Sequence, residues 1–294
     1  MFIDIHGHVL REQTFPAHGR QTLATPDQLM ALHDRLGIER GVILPLGNVE
    51  NSVCCQSNEE ALWIAANFPG RFIPFCNVDP RNYGNSWLAP LGDILKYYRD
   101  KGCKGVGEVC ANLPFLDPRV QNLFKGAEEA GLPLTFHISP FQGYAYGLVD
   151  DAGLPQLEVS LQRFPNLKFF GHSQAFWCEI GALRSTEERF GYPSGKIEEE
   201  GRVPQLMRKY PNLYGDLSAC SGYTALSRDP DYAARFLTEF QDRLFFGTDI
   251  CCPQMTNFGR LYEFLPQLRD EGKITNEVFE KVAFRNAKRV LGLD

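Results

Sequence analysis

No stretch of this sequence approaches the roughly 20 consecutive apolar residues that a membrane-spanning helix needs. Positive charge is not in excess either: 30 Lys and Arg stand against 36 Asp and Glu, a net charge of −6. Binding to a nucleic-acid backbone usually needs a basic face, so no nucleic-acid partner is expected. The nine cysteines are odd in number and show no CxxC spacing. Cys54–Cys55 and Cys251–Cys252 are adjacent pairs, poorly spaced for an ordinary disulfide. A zinc ribbon is unsupported, and free thiols in a reducing cytosol are the expectation. The N-terminus MFIDIHGH lacks the basic-then-apolar pattern of a secretory signal. No low-complexity linker, charge block or short repeat divides the chain. One cytoplasmic domain over residues 1–294 is expected.

Short apolar runs are what the chain has instead, each followed by a helix-like amphipathic stretch. The runs are 2–6, 41–44, 72–77, 103–108, 133–137, 167–172, 212–217 and 243–249. Between them, helical patterns open at the Thr25-Pro26-Asp27 cap signal and cover 58–67, 87–100, 118–130, 154–164, 232–240 and 276–291. Parallel neighbours need long return connections, so this alternation predicts parallel pairing through right-handed crossovers. Eight such units predict an α/β fold, a distorted (β/α)8 TIM barrel. Three connections are longer than a barrel needs: 9–24, 139–153 and 173–203. Each follows a strand and should emerge at the C-terminal mouth, where barrel enzymes build their sites. Phe141, Tyr144, Tyr146, Phe176 and Trp177 make two of these loops aromatic, which suits a cover for the mouth or a homodimer contact.

Only six histidines occur, and His6, His8, His137 and His172 lie at or just beyond strand ends. Side chains at i and i+2 of a strand share a side, so His6 and His8 can face the barrel interior together. Glu108 and Asp249 end two further strands. These six residues converge on one face in types that bind a divalent metal: zinc first, with manganese, iron or nickel also suited. Asp4 is read as structural. His33 falls in a helix, as surface or packing, and His18 in the first mouth loop. Cys110 and Cys251 sit two residues beyond Glu108 and Asp249, but a His/carboxylate set is complete without them. Asn48 and Asn77 are weaker candidates for polar substrate contacts.

IDIHGH, GVGE, TFHIS, FFGHS, FFGTD and the closing NAKRVLGL occur in order along nearly the whole chain. Together they resemble the amidohydrolase superfamily, and within it the amidohydrolase-related branch that includes aminocarboxymuconate-semialdehyde decarboxylase. The resemblance implies a barrel with one or two divalent ions at its mouth, most often zinc. It implies His6, His8, His137 and Asp249 as ligands and His172 as the catalytic histidine. Glu108 resembles the bridging ligand of two-metal members, where His137 and His172 would hold the second ion. The expected chemistry is hydrolysis of a small-molecule amide, lactone or ester by a metal-activated water. Asp249 would shuttle the proton, and His172 would steady the oxyanion or protonate the leaving group. The alternative is non-oxidative decarboxylation of an aromatic or unsaturated acid, which would want Arg11, Arg20 or Arg184 turned into the mouth. From another class, a non-catalytic metal-binding barrel would keep the scaffold alone.

Overall fold

The computed structural model describes residues 1–13, 23–50, 55–255 and 258–294; His18, Arg20 and Cys54 lie outside them. Strands β1 (Phe2–Asp4), β2 (Ile38–Ile43) and β3 (Phe72–Pro74) form one parallel sheet. The second sheet takes β4 (Val106–Val109), β5 (Leu134–Ser139), β7 (Phe169–His172), β8 (Leu213–Asp216) and β9 (Leu244–Phe245) in order. A short extra strand, β6 (Leu148–Val149), pairs with β5 outside this path. Two seams join the sheets. Cys76 bridges to Val106, with Cys76 N–H donating to Gly105 O at 2.9 Å and Gly107 N–H to Cys76 O at 2.8 Å. Gly7 bridges to Ile250, with Ile5 N–H donating to Phe246 O at 3.0 Å and Asp249 N–H to His6 O at 2.8 Å. The ring of eight strands thereby closes as the expected (β/α)8 barrel, distorted where isolated bridges replace a ladder.

Alternation along the strands sorts the core into two layers. Ile3, Ile5, Val42, Leu44, Ile73, Phe75, Phe170, Tyr214 and Phe245 fill the barrel, and Ala287 and Leu291 of the last helix plug it. Their neighbours Val106, Phe136, Phe169, Leu213 and Leu244 point outward under the helices. Packing is tight enough to require glycine: a Cβ on Gly171 would stand 2.3 Å from the Phe176 ring.

Local chemistry sets the helix ends. Asp117 caps helix Pro118–Ala130 by accepting from Arg119 N–H at 2.9 Å, Pro118 opens it, and Gly131 ends it at φ +69°. The helix expected from Trp87 starts only at Leu91, because Pro90 disfavours helical geometry in the residue before it. That leaves Trp87 and Leu88 exposed. The run expected over 243–249 is shorter as a strand, its second half bonding to Ile5 and His6 just beyond β1. The last helix is interrupted by a π turn at Lys281–Arg285. Among the described residues, no helix is long and apolar enough to cross a membrane.

At the mouth the period-two pattern of the first strand breaks. Strict alternation would put Asp4 on the side of His6 and His8, but β1 ends at Asp4 and the chain bends at Ile5. Asp4 turns away and accepts from His6 N–H at 3.0 Å and Thr248 N–H at 2.9 Å. It ties the first strand to the last, the structural role expected of it. His33 is buried packing and not surface, its Nε2 3.3 Å from Asp4 Oδ2.

Candidate metal centre

Strand ends deliver His6, His8, Glu108 and Asp249 to one point. His6 Nε2 and His8 Nε2 are 3.2 Å apart. Glu108 Oε2 lies 3.6 and 3.5 Å from those two nitrogens, and Asp249 Oδ1 also lies 3.6 and 3.5 Å from them. Ligands about 2.0–2.2 Å from a tetrahedral zinc ion stand about 3.3–3.6 Å from one another. The separations of each carboxylate oxygen from the two nitrogens have that size, and the two nitrogens lie 3.2 Å apart.

The proton positions around the histidines sharpen the fit. His8 Nδ1 is 2.9 Å from Leu44 O, and a carbonyl only accepts, so Nδ1 carries the hydrogen and Nε2 presents a lone pair. His6 Nδ1 is 2.6 Å from Asp216 Oδ2, which fixes the same tautomer there. The Nε2 atoms of both rings therefore face the two carboxylate oxygens, and a bound cation would take the place of any proton on His6 Nε2. Buried acceptors arranged this way call for a cation. Burial alone would lower the pKa of His6, but Asp216, Asp249 and Glu108 more than reverse it and raise the value well above normal. The same pull shows on Glu108: burial works against its charge, yet His6 and His137 hold its carboxyl well below the usual range.

His137 and His172 occupy the other side of Glu108. His137 Nδ1 is 2.7 Å from Glu108 Oε1, and His172 Nε2 is 3.8 Å from that oxygen and 3.8 Å from Asp249 Oδ2. His172 Nδ1 faces Ser218 Oγ at 3.0 Å and Asp216 Oδ2 at 3.6 Å. Burial, then the neighbouring His6 charge, lowers the pKa of His172 to about 4, so the ring is neutral at physiological pH. All six strand-end residues singled out in the sequence are thus brought together.

Asp216 and Ser218 were not singled out in the sequence. Asp216 is fully buried, and despite the cost of burial His6 keeps its carboxyl charged, with the pKa lowered. The signal was available: Gly215-Asp216 ends β8 as Gly107-Glu108 lies in β4. Asn48 and Asn77, expected at substrate, are buried and do other work. Asn77 Nδ2 donates to Glu108 O at 2.7 Å and to Pro45 O at 2.9 Å, while Asn48 Oδ1 accepts from Cys110 N–H at 2.9 Å. They hold the end of β4. Cys251 Sγ donates to Asp249 Oδ1 at 3.6 Å, at the edge of the centre.

The mouth above is aromatic. Phe141, Tyr144 and Phe190, from two different loops, pack with ring centroids 5.1–5.7 Å apart. Tyr146 lies on His137, centroids 4.6 Å apart. Arg11 is committed elsewhere, its guanidinium 4.1 Å above the Trp63 ring, and Arg184 lines a separate depression with Glu188 and Arg228.

Residues 3–293 match the family model described as amidohydrolase. This chain belongs to the amidohydrolase family. The protein is therefore an enzyme, in a metal-dependent family that includes hydrolases and decarboxylases. No curated protein matches the sequence. Among solved structures, a probable 2-pyrone-4,6-dicarboxylic acid hydrolase from Acinetobacter baumannii, with citric acid bound, is 15% identical with a TM-score of 0.59, over 99% of each chain. An amidohydrolase from Burkholderia multivorans with bound zinc is 12% identical with a TM-score of 0.60, over 100% of each chain. The 5-carboxyvanillate decarboxylase of Sphingomonas paucimobilis is 16% identical with a TM-score of 0.56, over 100% of this chain and 99% of that one. At these identities the likeness is one of fold.

Proposed function

We propose that this amidohydrolase hydrolyses a small-molecule amide, lactone or ester, and that His6, His8, Glu108 and Asp249 hold one divalent ion, zinc, for the purpose. The observation that carries the reading is that His6 Nε2 and His8 Nε2 stand 3.2 Å apart, with a Glu108 oxygen and an Asp249 oxygen each 3.5–3.6 Å from both. When bound, such an ion acts as a Lewis acid that polarises a carbonyl and lowers the pKa of water. Nitrogen and carboxylate donors at this spacing suit zinc, the ion present in the Burkholderia relative. His137 supports the set by holding Glu108 through its other oxygen. A separation of 2.7 Å is that of a hydrogen bond, which favours one ion over two.

Asp249 is the candidate base. Its side chain is 21% exposed, open to the mouth, with Oδ1 toward the histidines and Oδ2 toward His172. A carboxylate there can take the proton of an attacking water, and the neutral His172 can receive it in turn. Decarboxylation would need a cation for the substrate carboxylate. Among the described residues, Arg11 stacks on Trp63 and Arg184 lines a separate depression, and on that ground hydrolysis is preferred.

The test is metal analysis of the purified protein, followed by a screen of lactones, esters, amides and aromatic acids. The expected result is one zinc per chain, turnover without CO2, and loss of both metal and activity in His8→Ala. Protein purified without chelators yet free of metal, or turnover that always releases CO2, would overturn the reading.

A further inference from the structure

We propose that Tyr146 is a catalytic residue of this enzyme, donating its phenolic O–H to the substrate oxygen on which negative charge develops. The proposal rests on the hydrolase reading and supplies a part which that reading lacks. His172 Nδ1 faces the Asp216 carboxylate and Ser218 Oγ, and a carboxylate only accepts, so the proton sits on Nδ1. His172 Nε2 is then an acceptor, and the site-facing atoms of His6, His8, Glu108 and Asp249 are taken up by the ion they would hold. An oxyanion needs a hydrogen-bond donor fixed in advance at its position.

Tyr146 brings one from above. Its ring packs on His137 with centroids 4.6 Å apart, and its phenol lies in the field of Glu108, Asp249, Cys110 and Cys251. It sits in a long loop but is not loosely held. Asn112 Nδ2 donates to Ala145 O at 2.8 Å and to Gly147 O at 3.2 Å, the carbonyls on either side of it. Gly147 N–H donates to Cys110 O at 2.8 Å. Gly147 has φ +118°, and a Cβ there would stand 2.8 Å from Ser139 N and 2.9 Å from His137 Cδ2. Only glycine lets the chain pass this close over β5, and that passage lays Tyr146 against His137. A phenol ordinarily keeps its proton to about pH 10, so the donor is present at neutral pH.

Tyr146→Phe keeps the ring and removes the donor. Two readouts on zinc-loaded protein separate this proposal from the hydrolase reading. With a substrate from the screen, kcat should fall about 100-fold while KM stays within about threefold, as for loss of one oxyanion donor. By calorimetry, phenylphosphonate, a tetrahedral anion, should bind Tyr146→Phe at least about tenfold more weakly than wild type. Zinc content should be unchanged. Equal affinities, or a wild type that does not bind phenylphosphonate, would overturn the role of Tyr146 even in a proven hydrolase. Weakened phenylphosphonate binding in a protein that hydrolyses nothing would uphold the donor and remove the hydrolase reading alone.

Discussion

Asp216 and Asp249 end neighbouring segments on either side of His6, yet the side chain of one is 1% exposed and that of the other 21%. Asp216 lies behind the histidine, locked between His6 Nδ1 and Ser218 N–H, the latter at 3.0 Å. Asp249 lies in front, with its backbone in the left-handed region at φ +55°, a conformation that asparagine and aspartate adopt more readily than other side chains. Behind the histidines, the Nδ1 atoms of His6, His8 and His172 each have a buried partner, and the result is a fixed ring orientation. In front the groups are half-open and aromatic, and their partners come with the substrate. One carboxylate prepares the site; the other works in it.

That contrast can be broken by four experiments. Asp249→Asn should cost the most, a fall in kcat of about 1000-fold, as expected when a general base that also binds metal is removed. A loss below about tenfold in steady-state assays would move the base elsewhere. Next comes acid sensitivity of the metal-free protein. The folded-state pKa of His172, about 4, lies below its unfolded value of about 6.5. Its stability contribution is therefore full above pH 6.5 and drains away as pH falls toward 4, by at most about 3 kcal/mol. His6 is shifted upward and works in the opposite direction. Comparing denaturant midpoints of wild type and His172→Gln across this window isolates the effect, and the variant should show the shallower loss.

Asp216→Asn should act on metal, not on chemistry. Zinc affinity should weaken about 10- to 100-fold by chelator competition, with kcat at saturating zinc much less affected. The reverse pattern would mean that Asp216 and Asp249 have exchanged the roles assigned to them. Ser218→Ala should be smallest, a loss of about 1 kcal/mol or a few-fold in kcat from a less firmly oriented His172. Full activity would show that Asp216 alone orients that ring.

Much of this was legible from residue order. Pro118 and Gly131 bound their helix as the sequence indicates, because caps are local chemistry. His6, His8, Glu108, His137, His172 and Asp249 could be found because strand ends of a barrel share one face. Asp216 could have been found by the same rule. Ser218 could not, and Asn48 and Asn77 were found but given the wrong role, since the meaning of all three lies in partners 31 to 62 residues away. Tyr146 looked like any aromatic on a long loop. Its placement depends on Asn112 and on the close pass of Gly147 over β5, contacts that no spacing along the chain encodes.

The sequence by itself determined the barrel, the face on which its chemistry gathers and the residue types placed there. Periodicity, capping and the order of strand ends are properties read along the chain. Only the tertiary structure decided how the His6 and His8 pair is completed. Glu108 and Asp249 come within 3.6 Å of it, while His137 stops at the far oxygen of Glu108. It also decided which carboxylate stands behind the histidines and which in front. Those distinctions depend on contacts between residues up to 243 positions apart, set by the bend at Ile5 and the seam that closes the barrel.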